Sequence, residues 1–235
     1  MSEELNTEMH KEKAHKKLDL HFYVQMAIVI VLIGVLMFFV GRSFNGTGGA
    51  IGITGGATGV KTTSKILPTG VPAIYGAELK ISFDDVSETT PQKADSTIEI
   101  LSNIDRSETL EGAELDRYIN ILYTLENGIS CEFCCGARSV IFEDGTPACG
   151  CAHSYAMRGL TKYLIKFHGD EYTDAEILEE VGKWKVLFFP GIHETKVGIL
   201  KSQGIEINYI NLASNKYRGA EKGGASSSGG MVGGC

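Results

Sequence analysis

Residues 131–153 read CEFCCGARSVIFEDGTPACGCAH. Five of the six cysteines fall inside this stretch with one histidine, so the use made of these sulfurs decides both fold and function. Cys131-x-x-Cys134 has the spacing with which a loop offers two sulfurs to one tetrahedral ion. Cys149-x-Cys151-x-His153 supplies three further donors, and Cys135 adds a sixth. Between the two blocks, Ser139–Glu143, then Asp144-Gly145, then Thr146-Pro147 predict a β-hairpin that folds CGCAH against CEFCCG. A helix beginning near Ser154 would aim its amide N–H groups at the sulfurs and favour thiolate over thiol.

Three chemistries are open to this set. In the first, Cys131, Cys134, Cys149 and Cys151 are the core ligands of a metal, with Cys135 and His153 as exchangeable donors. Zinc or copper suits them, because surplus thiolates favour a soft, exchangeable ion such as Cu(I). An iron–sulfur cluster fits less well, since the spacing matches no ferredoxin pattern. In the second, the cysteines are disulfides stapling a non-catalytic interaction module. The third is thiol redox or sulfur-relay work, although the βαβ setting of a thioredoxin is missing. Cys235, at the end of a Gly/Ser-rich arm, is an accessory thiol in any of these. There is no Ser–His–Asp arrangement and no H-E-x-x-H, so no catalytic residue is assigned. Met157 reads as a core methionine, and His168 and His193 as capping or surface residues near helix ends.

Outside this stretch the chain is uneven. Phe22 to Gly41 is apolar but for Gln25, long enough for a transmembrane helix, which makes a lipid bilayer the expected partner. Lys11, Lys13, Lys16 and Lys17 precede it and only Arg42 follows closely. That bias predicts a single-pass protein of the cell membrane, residues 1–21 cytoplasmic and the remainder extracytoplasmic, where a membrane or exported protein would be its partner. The acidic balance, 22 Lys+Arg against 29 Asp+Glu, argues against nucleic acid. Residues 42–75 are a Gly/Thr-rich linker, and the spacing of GGATGVKT departs from a phosphate-binding loop.

A helical domain is expected over 76–218. Leu79, Ile81 and Phe83 alternate as a short strand. Helices are predicted from Pro91 to Leu101, Glu111 to Asn127, after His153 to Phe167, from the capping box at Thr173 to Pro190, and from Glu194 to Ser202. An extended segment, 205–210, and a flexible Gly/Ser tail, 219–235, complete the chain. The expected class is mainly α (α+β): a transmembrane helix, a Gly-rich tether, and a small helical domain with one hairpin carrying the cysteines.

Pro147-Ala-Cys149-Gly-Cys151 followed by a helix resembles exported, membrane-attached bacterial proteins with a P-C-Y-C-G-C motif. The C-E-[FY]-C-C-G block together with the C-terminal V-G-G-C is similar to uncharacterised cysteine-rich single-span proteins of archaea and little-cultured bacteria. The resemblance implies no activity, only that both blocks and the tail act together.

Overall fold

A computed structural model describes residues 66–133, 135–223 and 230–234. They fold into α1 (Gly76–Leu79), α2 (Pro91–Ser107), α3 (Gly112–Ile119), α4 (Ala152–His168), α5 (Asp174–Phe188), α6 (Pro190–Ser202) and α7 (Tyr209–Ala213), joined by short 3-10 turns.

The closest packing is between α2 and α4. Ala94, Ile98 and Leu101 of α2 and Ala156, Met157, Leu160 and Leu164 of α4 line the core between them. Gly159 permits that approach: a Cβ there would collide with the Leu101 carbonyl oxygen. Where the two backbones come nearest, Arg158 and Asp105 form a buried ion pair at 2.8 Å. Lys162 also reaches Asp105, at 2.8 Å.

Thr173 begins α5 with a full capping box, its hydroxyl accepting from the Glu176 amide while the Glu176 carboxylate accepts from the Thr173 amide. From Val181 onward the helix is buried on nearly every side, because that half is central. Ile177, Val181, Trp184 and Phe188 face the main core, and Val186 joins a smaller one with Val197, Leu200 and Leu212. The Trp184 indole donates to the Tyr75 hydroxyl, which donates to Glu180. Phe189 separates α5 from α6, and Pro190 opens α6 at the position where its missing N–H costs nothing.

The expected α+β class and its hairpin are overturned, since no strand occurs among the described residues. Between the cysteine blocks the chain makes a tight turn closed by one antiparallel bridge, Ile141 to Pro147. The Phe142 amide donates to Thr146 and the Ala148 amide to Val140, but the Val140 amide donates to Ile129 and not back to Ala148, so pairing goes no further. The strand expected at 79–83 also fails, because Lys80 ends α1 in a left-handed conformation and Phe83–Asp85 form a 3-10 turn capped by Ser82. The helix expected from Glu111 to Asn127 is α only to Ile119. It widens into a π turn, Asn120–Thr124, and stops at Gly128, whose φ of 76° a side chain would resist. The extended segment expected over 205–210 gives way at Tyr209 to α7, which is capped by Asn208.

Single-pass anchoring in the cell membrane, and the extracytoplasmic placement drawn from it, are likewise not supported. No described helix is long and apolar enough to cross a membrane. Residues 22–41, from which the span was read, lie outside the described residues.

Candidate metal centre

Cys131 enters the core because the chain leading to it is fixed on both sides. Ile129 bridges Ser214, and the Ser130 hydroxyl donates to the Asn215 side-chain oxygen at 2.7 Å. The Ser139 hydroxyl reaches the Leu122 and Ile129 carbonyls, while the Val140 amide donates to Ile129. The second block is held by Arg158, whose guanidinium donates to the Cys149 carbonyl at 2.8 Å and the Val140 carbonyl at 3.3 Å. Arg158 thus carries the loop's backbone, and it pairs with Asp105.

Cys151 is the N-cap of α4, its sulfur accepting from the Ser154 amide at 3.4 Å. This places its Sγ 3.3 Å from Cys131 Sγ and 3.2 Å from the Ser154 hydroxyl. The hydrogen bond with Cys131, joined by those from His153 and Ser154, pulls the Cys151 thiol down to about 3 against the opposing effect of burial. His153, two residues on, is fully buried, its ring tilted against Phe188 and Phe189 at centroid distances of 4.8 and 5.0 Å. Its Nε2 lies 2.9 Å from the Val232 carbonyl oxygen, which can only accept. Nε2 therefore donates to that carbonyl, which leaves Nδ1 as the nitrogen available to hydrogen-bond Cys151 or, once unprotonated, to ligate an ion.

One donor atom from each of Cys131, Cys151 and His153 lies within 4.8 Å of the others. A ligating histidine whose second nitrogen donates to a carbonyl is the usual outer-shell arrangement of a metal site. Of the six expected donors, these three come together. Cys135 and Cys149 are joined as a disulfide, with Cα atoms 6.7 Å apart. Cys134 and Cys235 lie outside the described residues.

Val232 belongs to residues 230–234, which pack against the core. Its amide donates to the Phe188 carbonyl at 2.9 Å and the Gly234 amide to Asp95 at 2.8 Å. Truncation after Gly229 is expected to weaken metal binding by about 10–100-fold, the typical effect of losing an outer-shell partner. Cys235→Ser, which keeps the Val232 carbonyl, is expected to weaken it less; chelator competition on the two proteins separates these effects.

Sequence reading missed the polar group behind Cys131. Glu132, Lys185, His193 and Lys196 are buried together under Phe133, with Lys185 Nζ 3.9 Å from Glu132 and 5.3 Å from the Phe133 ring centre. Burial pushes Lys185 down to about 8 despite the pull of Glu132, and pushes Lys196 below its usual range. His193, expected at the surface, is wholly enclosed and held neutral by that burial and by Lys185. The Lys196 ammonium and both Glu132 oxygens have no hydrogen-bond partner. Helical spacing on α5 and α6 marks these lysines as inward-facing, but only the fold shows that they converge behind a cysteine.

His168, expected as a capping or surface residue, stands in the last turn of α4 but is mostly enclosed, between Glu78 and Glu171 at 3.0 and 2.7 Å. It borders a cleft of about 470 Å³ with Arg117 and Lys166, at the end of α4 opposite Cys151. The cleft has no thiol on its walls and takes no part in the cysteine chemistry. Comparison with known proteins finds no matching family model, curated protein or solved structure.

Proposed function

We propose that this chain is a metal-binding protein in which Cys131, Cys151 and His153 hold one thiophilic ion, zinc or copper(I), for handling or transfer. The observation that carries the reading is the convergence of two sulfurs and an imidazole within 4.8 Å at a buried helix N-terminus. Two thiolates and a neutral imidazole form an N/S donor set of the kind zinc and copper(I) prefer over hard cations. Three protein ligands leave a coordination position open, through which an ion can be passed to an incoming donor.

The test is competition with a chelator of known affinity, using the full chain and single variants. One ion per chain is expected. Cys131→Ser or Cys151→Ser should weaken it by more than about 100-fold, beyond the range seen for outer-shell losses, with the fold retained by circular dichroism. His153→Gln is expected to fall between the two. A folded chain that holds no ion, or whose affinity these substitutions leave unchanged, contradicts the reading.

A further inference from the structure

We propose that Cys149 is a fourth ligand of this site, locked away in the disulfide with Cys135 and delivered to the ion when that disulfide is reduced. The inference rests on the metal-binding reading above and deepens it. Cys149 Sγ lies 3.6 Å from Cys151 Sγ, which is itself 3.3 Å from Cys131 Sγ. Two sulfurs on one tetrahedral zinc, each at about 2.3 Å, stand roughly 3.8 Å apart. The Cys149 sulfur is therefore already at ligand-to-ligand distance from Cys151. Its backbone stays in place when the S–S bond opens, because Arg158 holds the Cys149 carbonyl from inside the core. The Cys131, Cys149, Cys151 and His153 set is then the closed Cys₃His arrangement of a structural zinc, where the oxidised chain offers three ligands and an open position.

The two ends of the disulfide differ in a way that suits this exchange. Cys135 is exposed, whereas Cys149 is 5% exposed and faces the site. A thiol reductant, RSH, attacks as thiolate at the accessible Cys135 sulfur. The S–S bond breaks as the RS–Cys135 bond forms, and Cys149 leaves as thiolate toward the ion. A second RSH releases RSSR and leaves Cys135 as a thiol, so two electrons pass from two thiols to one disulfide.

Charge gives independent support. Zinc on two thiolates is neutral, and on three it carries one negative charge. Lys185 and Lys196 are fully buried behind Cys131, with the carboxylates of Glu132 and Glu221 acting on them, and Lys185 feels the Cys131 charge. An ammonium group buried beside Cys131 offsets an anionic centre better than a neutral one.

The experiment is X-ray absorption on the zinc-loaded full chain, counting sulfur ligands before and after reduction with a dithiol, alongside affinity by chelator competition. Two sulfurs are expected in the oxidised chain and three in the reduced chain, with affinity rising about tenfold or more. Cys135→Ser should show three sulfurs without reductant, and Cys149→Ser two in both conditions. A count that stays at two on reduction overturns the inference and leaves the metal-binding reading standing. A rise that persists in Cys149→Ser overturns it too, because another thiol is then the donor. Absence of bound zinc in both states overturns both readings.

Discussion

Arg158→Met is expected to destabilise the protein by roughly 3 kcal/mol or more, measured as a lower urea midpoint at unchanged m-value. The guanidinium is completely buried and meets three demands at once. It pairs with Asp105, at 2.8 and 2.9 Å, and donates to the carbonyls of Val140 and Cys149. Methionine fills the same space without a donor. Removing one partner of a buried ion pair commonly costs about 3–5 kcal/mol. Lys162 remains on Asp105 and the Ala148 amide remains on the Val140 carbonyl, which keeps the loss toward the lower end, while the Cys149 carbonyl, left without Arg158, adds about 1–3 kcal/mol. The double variant Arg158→Met with Asp105→Leu should recover part of the loss, since it leaves no buried charge stranded. Metal affinity should fall in both, because the loop bearing Cys149 and Cys151 loses its internal tie. Stability within about 0.5 kcal/mol of the parent for Arg158→Met would show that the pair does not anchor the loop.

Gly159→Val is expected to cost about 3 kcal/mol, seen as a fall in the thermal midpoint. A Cβ on residue 159 runs into the Leu101 carbonyl oxygen and lies 3.0 Å from the Asp105 amide nitrogen. Both obstacles are backbone and cannot swing aside, so α2 and α4 must separate along the interface that carries most of the core. The Asp105–Arg158 pair lies on that interface and would loosen with it. A second helical glycine makes the comparison sharp. Gly198 of α6 is exposed with nothing within 4 Å of its added Cβ, so Gly198→Ala should stabilise by about 0.5–1 kcal/mol through helix propensity alone. Equal effects at the two positions would mean that helix contact is not what selects Gly159.

Much of the helical framework is legible in the sequence because its signals are local. The Thr173 capping box, Pro91 at a helix start, and Gly128 as a stop each act within one turn, and each stands in the structure where the residues place it; Pro190, read only as the end of one helix, also opens the next, four residues before the start expected at Glu194. The hairpin failed for a related reason: Asp144-Gly145 does make a tight turn, but pairing needs donors beyond it. The Val140 amide, the next donor, goes to Ile129 instead, although its carbonyl still accepts from Ala148 across the turn. Local signals also could not show that Cys131 meets Cys151, because that contact depends on Ile129 and Ser130 being fixed by Ser214 and Asn215 far along the chain. The pairing of Cys135 with Cys149, and the two lysines converging behind Cys131, are products of the same long-range packing. The identity of the candidate donors was thus open to reading, and their selection was not.

Titration of the purified full chain with cadmium tests the central claim most directly, because thiolate-to-cadmium charge transfer absorbs in the ultraviolet and reports sulfur ligation itself. The account predicts a band that saturates at one ion per chain, is reduced to about half in Cys131→Ser or Cys151→Ser, and disappears when both are replaced. A chain that stays folded and shows no such band, or one whose band survives the double replacement, would contradict it.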